Sequence, residues 1–187
     1  LQSVISNDIL PLRPGQGRYS SFLTHKGKML TYFRLYLQSD AVMVEDVGEI
    51  GEATFQSFRK FLLYGTKAKM ENCAESWGLL LISGPKAAQV IQSAFGVDVT
   101  DLKPVDFVTA QIGGHPALVL RAEETGEVDI EILLPAESLQ AAWMSALQAG
   151  AKFEIRAIGA QAREALRMEA GIPKAGGLGG VDPAHVA

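Results

Sequence analysis

The chain has 187 residues and a formal net charge of −4, with 48% hydrophobic and 20% charged residues, a balance that excludes disordered and fibrous proteins. Its single cysteine, Cys73, excludes an internal disulfide, a CxxC redox pair, a cysteine-rich zinc site and an iron–sulfur cluster held by this chain alone, which makes a reducing cytoplasm the expected home. The acidic balance argues against a broad grip on nucleic acid, and no apolar run approaches the roughly 20 residues that span a bilayer.

Taken in chain order, Pro11-Leu-Arg-Pro-Gly-Gln-Gly17 predicts a turn leading from a short N-terminal helix into a strand. Arg18 to Thr24 and Met29 to Leu37 are rich in Tyr, Phe and Leu and predict two strands, with His25-Lys-Gly-Lys28 as their hairpin connection and Ala41 to Asp46 as a third strand. Arg13, Arg18, Lys26, Lys28 and Arg34 form the one local basic strip in this part. From Gly51 the period changes: Phe55, Phe58 and Leu62 recur at helical spacing, so an amphipathic helix is expected, ending at Gly65.

Lys67 to Glu71 and Trp77 to Ser83 read as further strands, and Ser83-Gly-Pro85 opens a helix through Phe95. A second β block covers Asp106 to Gln111, Ala117 to Ala122 and Val128 to Leu134, broken by a turn at Glu123-Glu-Thr-Gly126. Pro135 and Glu137 open a helix through Gln148 that Gly150 is expected to close, and Ala160 to Ala170 predicts the last helix before Gly171 and Pro173. Strands and helices mix without regular alternation, which favours an α+β fold with mainly antiparallel sheets. Ala175-Gly-Gly-Leu-Gly-Gly180 reads as a loose tail, because it lacks the strand-to-helix setting of a dinucleotide loop and a following Lys-Ser or Lys-Thr.

Few residues carry obvious chemistry. His25, His115 and His185 lie far apart with no HxH or HExxH spacing and read as surface or turn residues, so no metal site is expected. No GxSxG occurs, and Cys73 has no local activating base. No catalytic residue is assigned. In Val-Asp-Ile-Glu-Ile-Leu-Leu134 the strand period puts Asp129 and Glu131 on one face and Ile130 and Ile132 on the other. That acidic face is either solvated or a cleft wall, where burial would demand donor partners. Arg163 and Arg167 are four apart and share one side of the last helix.

The ordered set of Leu1-Gln-Ser-Val-Ile-Ser-Asn-Asp8, Pro14-Gly-Gln-Gly-Arg-Tyr19, Leu23-Thr-His-Lys-Gly-Lys28, Ser83-Gly-Pro85, Thr125-Gly-Glu127 with Ile130-Glu-Ile132, Ala162-Arg163 and Leu166-Arg-Met-Glu-Ala-Gly-Ile-Pro173 resembles the folate-binding family that joins glycine-cleavage T-protein (aminomethyltransferase) to the YgfZ-like proteins. The resemblance implies one folate-binding domain over residues 1–187, built from two intertwined ferredoxin-like units around a central folate cavity, with sub-units drawn at 1–95 and 96–187. It also implies a C-terminal β-barrel, which is absent from this sequence; the sequence opens at Leu1 with no Met and no visible leader, and the resemblance makes it look clipped at both ends. Carried over by position, Tyr19 is similar to the tyrosine that packs beside folate, Glu131 to the acid that holds the pteridine, and Arg163 to the arginine near that site, able to neutralise Glu131 or meet a folate oxygen. The chemistry is apt: a pteridine offers adjacent N–H donors that one carboxylate accepts together, and an aromatic ring covers the flat heterocycle.

Some positions depart from the T-protein pattern. Its paired acids fall on Thr31 and Tyr32, and neither a hydroxyl nor a phenol titrating near 10 supplies an anion at neutral pH. The tyrosine of its Gly-Tyr-Thr-Gly-Glu stretch is Glu124 here, and Thr24-His-Lys-Gly-Lys28 is closer to the Thr-Pro-Lys-Gly-Arg of YgfZ-like proteins, whose Lys-Gly-Cys signature would lie beyond Ala187. The expectation is therefore a YgfZ-like tetrahydrofolate binder that assists iron–sulfur cluster assembly or repair, with iron–sulfur proteins as partners. Its rivals are an aminomethyltransferase that draws on a lipoyl carrier protein and releases ammonia, and a folate-free interaction module.

Overall fold

The computed structural model describes residues 5–24, 26–46, 51–61 and 67–172. Within them the chain divides into two compact units, a first inside Leu1–Asn72 and a second over Cys73–Ile172. The division lies after residue 72: Trp77–Ser83 and Ala87–Phe95 pack with the elements that follow them.

In the first unit the aromatic alternation predicted from sequence builds an antiparallel meander of β1 (Gly17–Leu23), β2 (Met29–Leu37) and β3 (Val42–Asp46), in the order β1-β2-β3. Because successive side chains point to opposite faces, Phe33 and Leu35 go to one side of β2 and Tyr32, Arg34 and Tyr36 to the other. Phe22, Phe33 and Leu35 close a small apolar core with Phe58 of α1 (Gly51–Arg59), whose ring meets Phe33 edge-on at 5.3 Å. The hydroxyls of Thr31 and Thr54 donate to Asp46 Oδ2 at 3.0 and 2.5 Å, tying β2, β3 and α1 together.

The second unit holds a four-stranded antiparallel sheet of β4 (Trp77–Ser83), β5 (Phe107–Ile112), β6 (His115–Ala122) and β7 (Asp129–Pro135) in the order β4-β7-β6-β5. α2 (Ala87–Phe95) and α3 (Leu139–Gly150) cover one face, where Val90, Ile91, Ala142 and Ala146 pack on Leu80, Ile82, Val119, Ile130, Ile132 and Leu134. Burial of these apolar side chains, worth ~1.5–3 kcal/mol for each large one, is what holds the helices on the sheet. Gly113 and Gly114, both at positive φ, make the two-residue β5–β6 hairpin that suits the sheet's twist. α4 (Ala160–Glu169) differs from the others in having no buried residue.

The α+β class and its antiparallel sheets are as the sequence implies. Three local expectations need correction. Residues 67–71 form no strand, and residues 5–10 form no helix: Ile5 instead makes an isolated bridge to Phe22. Gly150 does not close α3. It is the helix's last residue at φ −79°, a further 3-10 turn follows over Ala151–Phe153, and the left-handed residue is Glu154 at φ 64°. Gly150 is needed for packing, since a Cβ there would stand 2.6 Å from Ile155 Cγ2. The expected end of the first helix at Gly65, His25 in the first hairpin, His185 and the glycine-rich 175–180 stretch lie outside the described residues. Among the described residues no helix is long and apolar enough to cross a membrane.

Candidate functional site

Tyr19 lies on β1 opposite Arg34 of β2, and its ring stacks on that of Tyr32 with centroids 5.3 Å apart and planes 4° from parallel. This is the diagonal-neighbour contact that an antiparallel pair allows to long aromatic side chains. Both rings are half-buried. Thr31, on the opposite face, spends its hydroxyl on Asp46. Thr31 and Tyr32 thus carry a bonded hydroxyl and a stacked ring.

Beside the stacked tyrosines sits a polar cluster that sequence reasoning misread. Arg34, a member of the local basic strip, is 1% exposed; its Nη2 donates to Glu45 Oε1 at 2.6 Å, and Tyr36 Oη donates to Glu45 Oε2 at 2.9 Å. The alternation of β2 puts Arg34 and Tyr36 on one face, and the register of β3 supplies Glu45 opposite Arg34.

In the second unit Glu131 falls at the middle of β7, paired with Leu81 of β4 and Leu120 of β6 on the face away from α2 and α3. It is wholly buried, as is Asp129 two residues earlier, so the acidic face of this strand is not a solvated one. Burying a carboxylate is costly unless donors meet it. For Asp129 they do: Oδ1 accepts from Ser83 Oγ at 2.5 Å and Thr125 Oγ1 at 2.7 Å, and Oδ2 accepts from the backbone N–H groups of Glu124 and Thr125 at 2.7 Å each.

Arg163 projects from α4 and donates through Nη2 to Oε2 of the buried Glu124 at 2.9 Å. The carboxylate it meets in this structure is Glu124 of the β6–β7 loop, a partner the sequence reading did not raise. One turn on, Arg167 donates to both oxygens of Glu164 at 2.7 and 3.0 Å and to the carbonyl of Ile172. Hydrogen bonding to Glu164 holds the Arg167 guanidinium above its ordinary range, with the charges of Glu164 and Glu124 adding to it.

A separate cleft of about 340 Å³ in the second unit is lined by residues that include Phe95, His115, Glu137, Ser138 and Ser145, and by none of Tyr19, Glu131 or Arg163. Among the described residues no group of three or more His, Cys, Asp and Glu side chains is placed to hold a metal ion.

A family model, the GCVT N-terminal domain, matches residues 1–177. The chain is 31% identical over 177 residues to an aminomethyltransferase of Thermus thermophilus, covering 92% of this chain and 48% of that protein. It is 30% identical over 186 residues to an aminomethyltransferase of Caldanaerobacter subterraneus subsp. tengcongensis, covering 97% and 49% respectively. In three dimensions it is similar to the glycine cleavage system aminomethyltransferase T from Bartonella henselae, with a TM-score of 0.78 and 26% identity over 92% of this chain and 45% of that one. The chain spans about half the length of these relatives.

Proposed function

The chain belongs to the GCVT N-terminal domain family, and from that membership we propose that it is the tetrahydrofolate-binding part of an aminomethyltransferase-like protein. The observation that supports this reading best is the burial of Glu131 in mid-sheet, its backbone neighbours on both sides being leucines. A carboxylate at that place is suited to accept the paired N–H donors of a pteridine in charge-assisted bonds. In the same unit Arg163, 45% exposed, keeps donors for a folate oxygen or carboxylate; taken by itself, the first unit offers an aromatic surface in the stacked Tyr19 and Tyr32.

The reaction proposed for the whole protein is aminomethyl transfer. The carbon–sulfur bond of an aminomethyl-lipoyl carrier protein breaks, the carbon passes to tetrahydrofolate as a methylene group, nitrogen leaves as ammonia and the carrier is left as a thiol. One observation favours a second reading, a YgfZ-like folate binder that serves iron–sulfur proteins without transfer: the paired acidic positions are Thr31, bonded to Asp46, and Tyr32, stacked on Tyr19, neither of which is a carboxylate.

Calorimetric titration with 5-formyltetrahydrofolate tests the shared part of both readings. Saturable binding is expected, weakened in Glu131→Gln by ~1.5–3 kcal/mol, the worth of a hydrogen bond to a charged group. Equal affinity in the variant removes Glu131 from the site, and no binding by the wild type leaves the folate-free interaction module. Ammonia release from a loaded lipoyl carrier, measured beside an active aminomethyltransferase, separates transfer from binding alone.

A further inference from the structure

We propose that Asp129 is a positioning residue: it clamps the β6–β7 loop so that Glu124 holds Arg163 in the orientation the folate ligand requires. This inference rests on the folate reading above and deepens it.

The carboxylate of Asp129 is wholly buried and accepts four hydrogen bonds, two from hydroxyls and two from backbone amides, at 2.5–2.7 Å. Four donors occupy the acceptor sites a carboxylate offers, so Asp129 has nothing left with which to bind a ligand. Its work is directed at its neighbours. Both amide bonds go to the loop, at Glu124 and Thr125, while Ser83 and Thr125 close a ring of hydroxyls around Oδ1 with their own oxygens 2.7 Å apart. The start of β7, the end of β4 and the loop are thus joined at one carboxylate.

What the loop presents is Glu124. Its side chain is 2% exposed and its Oε2 takes the bond from Arg163. α4, which carries Arg163, buries none of its own residues and so has little apolar contact to fix it. The Glu124–Arg163 pair joins it to the loop, and Ala170 at its C-terminal cap comes close to Gly126, where a Cβ would stand 3.2 Å from Ala170 Cβ. The placement of Arg163 accordingly passes through two peptide N–H bonds to Asp129 and one ion pair. Where the T-protein pattern has a tyrosine, this chain has Glu124, and only an acid at that position gives the arginine a charged partner.

The test is a double-mutant cycle on 5-formyltetrahydrofolate affinity with Asp129→Asn, Arg163→Ala and the pair, each checked by circular dichroism and thermal unfolding. Asn at 129 turns one acceptor oxygen into an amide that faces donors, and an affinity loss of about tenfold is expected, on the scale of one charge-assisted bond. In the Arg163→Ala background the same change should cost less than about twofold, because its effect runs through the missing guanidinium. Should Asp129→Asn fail to fold, Ser83→Ala removes one of the four donors and carries the same cycle at about threefold. Equal losses in both backgrounds, or full affinity in a folded variant, overturn the positioning role alone. A wild-type protein that binds no folate overturns the folate reading and this inference together.

Discussion

Two buried charges, one in each unit, are met by different means. In the first, Arg34 is answered by an opposite charge, Glu45, with Tyr36 donating to the same carboxylate. In the second, Asp129 is answered by two amides and two hydroxyls, none of them a cation. A buried ion pair answers charge with charge, and such a pair can often be exchanged for apolar side chains of similar volume with little loss of stability. A carboxylate held by neutral dipoles cannot be exchanged in this way, because removing it strands several buried donors at once. The first arrangement stiffens a sheet, while the second fixes the conformation of a particular loop.

Substitutions can break this comparison. The largest effect is expected from Glu45→Leu, which removes the carboxylate that the buried Arg34 and Tyr36 both meet and should cost ~3–5 kcal/mol in urea unfolding. Arg34→Met combined with Glu45→Leu should restore most of that loss; a double variant as unstable as the single would show that the cluster does more than neutralise itself. Asp129→Asn should cost less, ~1–3 kcal/mol, through donors left without an acceptor. Here no single apolar partner change should recover it, since the donors are spread over three residues. Recovery by Ser83→Ala alone would make this site as exchangeable as the first. Gly150→Ala adds a Cβ against Ile155 and should cost ~1–3 kcal/mol by overpacking, relieved by shortening Ile155 to alanine.

The comparison also explains what could be read from sequence. Alternation along β2 and β7 and the helical period of α2 and α3 carry their own signal, because each apolar face must be buried somewhere. The same alternation puts Asp129 and Glu131 on one face and shows that a decision about burial has to be made there. It does not show the outcome. Asp129 is bonded to Ser83, 46 residues away in sequence, and Arg163 to Glu124, 39 residues away, and no local pattern encodes such pairings. Arg34 was misread for the same reason, since its partner Glu45 is supplied by the register of β3. The strand expected at Lys67–Glu71 rested on local propensity alone, which tertiary context overrides.

The smallest effect sharpens the contrast between interior and surface, because Asp98 repeats part of the Asp129 arrangement in water. Its Oδ1 accepts from the backbone N–H of Thr100 at 3.0 Å and from that residue's hydroxyl at 2.7 Å, just beyond the left-handed Gly96 that caps α2. The Thr100 amide first, and its hydroxyl second, hold the Asp98 carboxyl below its ordinary 3.8. A depressed folded value means that the contribution to stability is present above pH 3.8 and is lost as pH falls through the lower folded value. NMR titration of the Asp98 carboxyl should therefore give a midpoint below 3.8, and Asp98→Asn should lower stability slightly at pH 6 and not at pH 2. A midpoint at or above 3.8 would mean that the turn's donors face solvent, and that threonine amide and hydroxyl bonds fix a carboxylate only where water is excluded.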